Sequence, residues 1–385
     1  MRPPLCRLGV SLLACGVAVA CGHGPQNRPS RPDVSSVSSL VADSGFARIV
    51  ERVSEAGGFF DTDNLISNER SYLHVLGALE SLDVRGGVYI GVGPDQNFSY
   101  IADIRPDLAF IVDIRADNRL QHLMFKTLFE AARTRVDYLA LMVGAPPPGD
   151  LDTWSGASIE DIVAYLDSVP RDSNHVQASR HVVMSALPDV GWPMSAEDAE
   201  TVGRFHDEFM RAQLDLRFRS HNRSPRPYYP TLRTLILERD LTGRRRSYLA
   251  DEEDFQFLKR LAHEDRIVPV VGDLAGAHAV REIGRLVAAR GGVVSALYAS
   301  NVEYYLWRSG TFDRFADNVA SLPIDDRSVI IRSYFGGMFG AHAQAVPGFF
   351  STQLVQTLAS FVDDVTRDGY RGYWDLVTRH AVPLQ

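Results

Sequence analysis

Residues 86–98, GGVYIGVGPDQNF, run an apolar strand into a glycine turn and on into a helix start. Such junctions are where α/β proteins build nucleotide and cofactor pockets. Gly91 and Gly93 supply two glycines of a dinucleotide fingerprint, but its third position is Gln96. Asp95 stands at the helix N-terminus, where its charge opposes the pyrophosphate that the helix dipole would otherwise attract. The turn therefore suits a ligand without phosphate rather than NAD or FAD. S-adenosylmethionine is such a ligand, with a cationic sulfonium and amino group and a neutral adenosine. Asp113, twenty residues after Gly93 and at the end of the next apolar run, is placed to accept hydrogen bonds from ribose hydroxyls. Asp273, closing a later strand as a Gly-Asp pair, is placed to receive the adenine amino group. Asn301, Glu303 and Tyr304 follow a fourth strand and would orient or deprotonate a methyl acceptor, small molecule or protein.

Each of these residues also has a purely architectural role open to it. Gly91 and Gly93 serve the turn whether or not a ligand binds. Asp113 and Asp273 are equally suited to capping the helices that follow them, and Asn301 with Glu303 to capping the EYYL segment. Tyr298, Tyr304 and Tyr305 are of the type that packs against a sheet. The eleven histidines include no H-E-x-x-H, and His175 with His181 lacks a carboxylate or cysteine partner at ligand spacing, so no metal is expected. No nucleophile elbow and no phosphate-binding loop occurs.

The elements that must position these residues follow from periodicity. Continuous apolar runs predict strands at 88–90, 108–114, 267–271, 293–299 and 328–335, separated by amphipathic helices. Asp95–Ile104 and the stretch LQHLMFKTLFEAART read as helices, as do AHAVREIGRLVAARGG and FDRFADNVASL. Leu354, Leu358, Phe361 and Val365 share one helical face, so STQLVQTLASFVDDV reads as a final helix. Parallel strands with right-handed crossovers make an α/β, doubly wound, mostly parallel Rossmann-like sheet, with a crevice at the strand C-terminal ends. The glycine turn, Asp113, Asp273 and Asn301 are expected to converge there.

The rhythm breaks at GAPPPGD, and residues 144–262 read as a helical insertion between a first core part, 39–143, and a second, 263–385. The insertion carries an arm, RFRSHNRSPRPYYP, that alternates arginine with aromatics. With a net charge of -8, the arm and the later TGRRRSYL read as solvated loops, and no nucleic-acid partner is expected. At the N-terminus, Arg2 and Arg7 flank an apolar run too short to span a membrane. Residues 1–21 read as an export leader with a lipobox, and Cys21 as the lipidated N-terminus of an envelope protein held to the membrane by that anchor. Residues 22–38 read as a disordered tether, and all three cysteines fall within the leader.

Four segments carry a resemblance: GGVYIGVGPDQNFSYIADIRPDLAFIVDIR, SYLADEEDFQFLKRL with RIVPVVGDLAGAHAVREIG, VVSALYASNVEYYL, and LPIDDRSVIIRS. Over about residues 40–335 the chain resembles an uncharacterised bacterial protein family, often exported, whose core is similar to class I methyltransferases. The resemblance implies a methyltransferase-like core in which Gly91, Gly93, Asp113 and Asp273 are the cofactor positions. It carries over no catalytic residue. The antiparallel hairpin that closes such a core is not read in the sequence after residue 335. A non-catalytic envelope protein using the same crevice for ligand or partner binding is the alternative.

Overall fold

Six strands form one sheet in the order β3-β2-β1-β4-β5-β6. The structure is a computed structural model that describes residue 1 and residues 35–62, 64–221, 226–336 and 339–384. The leader, Cys21 and most of the tether lie outside the described residues. β1 (Val88–Gly91), β2 (Leu108–Asp113), β3 (Ile267–Val271), β4 (Val294–Ser300) and β5 (Val329–Phe335) are mutually parallel, while β6 (Ser351–Thr357) runs antiparallel to β5. β1 pairs with β2 from Val88↔Leu108 to Gly91↔Ile111, and with β4 on its other side. Every residue of β1, β2 and β3 is buried. Helices cover both faces of a parallel sheet, and for that reason these strands are written as unbroken apolar runs rather than as alternation.

The sheet order runs outward in both directions from β1 and β4, and a pocket opens at the strand C-terminal ends there. Ahead of β1, a long connection leads from the helix Phe46–Val53 to the short 3-10 turn Tyr72–Val75. A structureless connection of that length inside a packed chain is usually functional. Between β2 and β3 the regular elements among the described residues are helices, joined by loops with isolated bridges such as Arg217↔Thr231 and Arg239↔Arg245, and there is no strand. Ser158–Asp161 and Ser195–Asp198 are reciprocal capping boxes that start the helices Ile159–Ser168 and Ala196–Ala212.

The C-terminal region corrects the sequence reading. Residues 351–357 are not the start of a helix but the strand β6, in register with β5 from Val329↔Thr357 to Phe335↔Ser351. The helix begins only at Leu358, after Thr357 caps it by accepting from the Ser360 N–H. Leu354 and Leu358 share helical spacing by coincidence across that boundary. Polar residues hid the strand: Thr352, Gln353 and Gln356 are buried, so it lacks the apolar run of its neighbours.

Candidate functional site

A pocket of about 760 Å³ opens at the C-terminal ends of β1 to β4. Gly93, Asp113, Asp273 and Asn301 all line it, each from the end of a different strand. The loop ahead of β1 contributes Phe59, Phe60, Asp61 and Glu69. The arm read as a solvated loop forms part of the wall instead, with Phe218 and Tyr229 buried against each other edge to face and facing the cavity. It is tied in by a bridge between Thr62 and Ser220, and the Thr62 hydroxyl donates to the Arg219 carbonyl at 2.6 Å. The second loop read as solvated, TGRRRSYL, ends in Tyr248 and Leu249, both buried in the core.

The two glycines do different work. Gly93 sits at φ 83° beside the cavity. Its carbonyl accepts from Asn97 Nδ2 at 3.4 Å, Asn118 Nδ2 at 3.0 Å and His122 Nε2 at 2.9 Å, so the turn is clamped from behind. Burial holds the His122 ring down at a pKa of about 4, which keeps it neutral with Nε2 as donor. Gly91 is inside the strand and does not line the pocket. A Cβ there would lie 2.0 Å from Asn97 Oδ1 and 2.7 Å from the Tyr89 ring, so its smallness makes room for the Asn97 side chain.

Asp113 is held by a near neighbour. One carboxylate oxygen accepts from the Arg115 backbone N–H at 2.9 Å and Nε at 3.1 Å, the other from Nη2 at 3.1 Å. Its charge is thus already shared with a buried guanidinium, although each oxygen keeps acceptor capacity for the expected ribose hydroxyls. Asp273 accepts from the Ala275 N–H at 2.9 Å, while its own N–H donates to Glu55.

Glu303 and Tyr304 do not line the pocket, which corrects their expected position beside the acceptor. Glu303 is 1% exposed and forms a two-pronged pair with Arg332 of β5, at 2.7 and 3.1 Å. Helical periodicity rotates Tyr304 to the face that packs edge-on against Tyr373, under Arg308. Asp95 stands at the N-cap of its helix as expected, but its side chain turns the other way. It lies buried beside the Tyr248 hydroxyl, 3.4 Å away, rather than facing solvent or ligand. Burial pushes its carboxyl up to about 7.

The residue that sequence reasoning missed is Glu69. It is 1% exposed, lines the cavity, and accepts from the hydroxyls of Tyr298 and Ser300 and from Gln353 Nε2 at 2.9 Å. Ser300 sits in the left-handed region, φ 52°, where β4 shifts its register against β5. Backbone held there costs energy in a non-glycine residue and is found disproportionately at functional sites. Two of the partners come from β4 and the third from β6, so no local motif around residue 69 could have announced it. Gln96 completes the group: its Nε2 donates to Tyr298 at 3.2 Å, and its Oε1 has no partner among the described residues.

Among the described residues no cluster of histidine, cysteine or carboxylate side chains could hold a metal ion, and no helix is long and apolar enough to cross a membrane. The chain belongs to the family defined by a domain of unknown function, DUF7790, whose family model matches residues 65–145 and 196–380. The match passes over residues 146–195, which hold the helices Ile159–Ser168 and Ser173–Ala186. No curated protein matches the chain.

Proposed function

We propose that this protein binds S-adenosylmethionine in the crevice at the ends of β1 to β4, on a Rossmann-like, methyltransferase-like core. The observation that carries the reading is the charge and shape of the pocket. Its described lining holds the carboxylates of Asp61, Glu69, Asp113 and Asp273 against the guanidiniums of Arg115 and Arg308, and Arg115 is engaged by Asp113. That balance disfavours a phosphate and suits a cationic, phosphate-free cofactor. The volume lies within the range of small-molecule sites. The antiparallel β6 beside β5 adds support, since a closing antiparallel element is what the resemblance implies.

In this reading Gly93 lets the ligand approach the backbone, and Asp113 and Asp273 receive ribose and adenine donors. Asn301 stands at the reacting end, and the clamp on the Gly93 carbonyl keeps the turn in place before the ligand arrives. The cofactor, when bound, supplies an electrophilic methyl group. Glu303 and Tyr304 take no part in the site, and the acceptor is oriented from the Asn301 side. Because the expected acid is committed to Arg332, ligand binding without catalysis is the second reading, for an exported and lipid-anchored protein.

Saturating S-adenosylhomocysteine is expected to raise the melting temperature by several degrees, because a ligand that binds only the folded state stabilises it by mass action. The gain should shrink in Asp273→Asn. A melting temperature unmoved by the compound would count against the reading.

A further inference from the structure

Glu69 and Gln96 both line the pocket and meet through the Tyr298 hydroxyl. A buried carboxylate normally has its partner charge beside it, because an isolated one is costly to desolvate. Glu69 has three neutral donors, from Tyr298, Ser300 and Gln353, and no cation pairs with it among the described residues. Tyr298 has one hydroxyl proton and gives it to Glu69, so it can only accept from Gln96. This fixes the Gln96 amide with Nε2 toward Tyr298. The amide oxygen is then left over, itself buried and without a partner among the described residues, on a side chain 6% exposed that lines the cavity. An unused acceptor beside a carboxylate without a cation asks for a donor that carries positive charge.

The rest of the wall points to the same class of molecule. Phe60 and Tyr305 meet edge to face at 5.0 Å and Phe218 and Tyr229 at 4.9 Å, all four facing the cavity. Aromatic faces and carboxylates together are the chemistry that holds organic cations.

We propose that the Glu69 end of the pocket is an ammonium-binding site, taking a small organic amine in its protonated form with an apolar body against the aromatic wall. Glu69 forms the ion pair, Gln96 Oε1 accepts a second N–H, and the left-handed turn at Ser300 aims its hydroxyl at the carboxylate to hold it in place. The site goes beyond the cofactor reading: Glu69 adds to the pocket's charge in both, but the ammonium site is assigned by the acceptors on the wall rather than by the adenosyl groups.

Ligand-observed NMR titrations of the full chain with three shape-matched probes test this: phenethylammonium, 2-phenylethanol and 3-phenylpropanoate. Phenethylammonium should bind at least about tenfold tighter than the alcohol, and the carboxylate should not compete, as expected for a charge-assisted hydrogen bond. Glu69→Gln should erase the preference for the cation while leaving the alcohol unchanged. Gln96→Met, which keeps the side-chain volume and removes the acceptor, should weaken only the cation. Should Glu69→Gln fail to fold, the wild-type ranking and Gln96→Met decide the matter. Equal binding of 3-phenylpropanoate, or full cation affinity in a folded Glu69→Gln, overturns the proposal. S-adenosylhomocysteine binding is scored separately, by melting of the wild-type chain and of Asp273→Asn.

Discussion

Asp95 is the residue at which burial and chemistry oppose each other most directly. Its carboxyl has one partner, the Tyr248 hydroxyl, and its Oδ1 has none among the described residues. With a folded value of about 7 against 3.8 for the free side chain, the folded state holds a proton that the unfolded chain releases. Its contribution is therefore most favourable below about pH 4 and is lost as pH rises through about 7. His122, held down at about 4, acts in the opposite direction, and its contribution is lost as pH falls below about 6.5. Asp95→Asn should stabilise the chain at pH 8 by about 1–3 kcal/mol, with the difference closing toward pH 4, as read by denaturant melts at both pH values. Equal stability of the two proteins at pH 8 would contradict the burial argument. The sequence placed Asp95 correctly at the helix start but could not show which way it turns. Its direction is set by Tyr248, more than 150 positions away.

The strands and their partners explain what was legible in the sequence and what was not. β1 to β5 can be read because strands covered on both faces are mainly apolar, with Arg332 and Ser333 of β5 as buried exceptions, and such runs survive without any knowledge of neighbours. β6 breaks that rule. Gln353 and Gln356 are buried in it because Glu69 accepts from one, while the other meets Arg332, Asp364 and Tyr370. The same long-range pairing hid Glu69 and misdirected the reading of Glu303. Gly93, Asp113, Asp273 and Asn301 were found because strand ends are visible in sequence, whereas side chains contributed by loops and by polar strands are not. Glu303→Gln should cost about 3–5 kcal/mol of stability, since it leaves Arg332, 2% exposed, without its carboxylate. Ligand affinity of the folded fraction should be unchanged. A variant as stable as the parent, with binding lost instead, would return Glu303 to the site.

At the scale of the whole molecule, a mostly parallel sheet whose order reverses between β1 and β4 opens a crevice, and the chain fills its rim from distant segments. The connection ahead of β1 and the arm from the helical stretch meet at Thr62 and Ser220 to wall it in. A rim built in this way accumulates carboxylates and aromatics but few free cations, and the proposed ligand class rests on that balance. Isothermal titration calorimetry of the full chain with S-adenosylmethionine, S-adenosylhomocysteine and NAD tests the central claim most directly. The account predicts one site per chain for the first two compounds, weakened about tenfold or more by Asp273→Asn, and no heat from NAD. Absence of binding by both sulfur compounds at millimolar concentration, or tight binding of NAD, would contradict it.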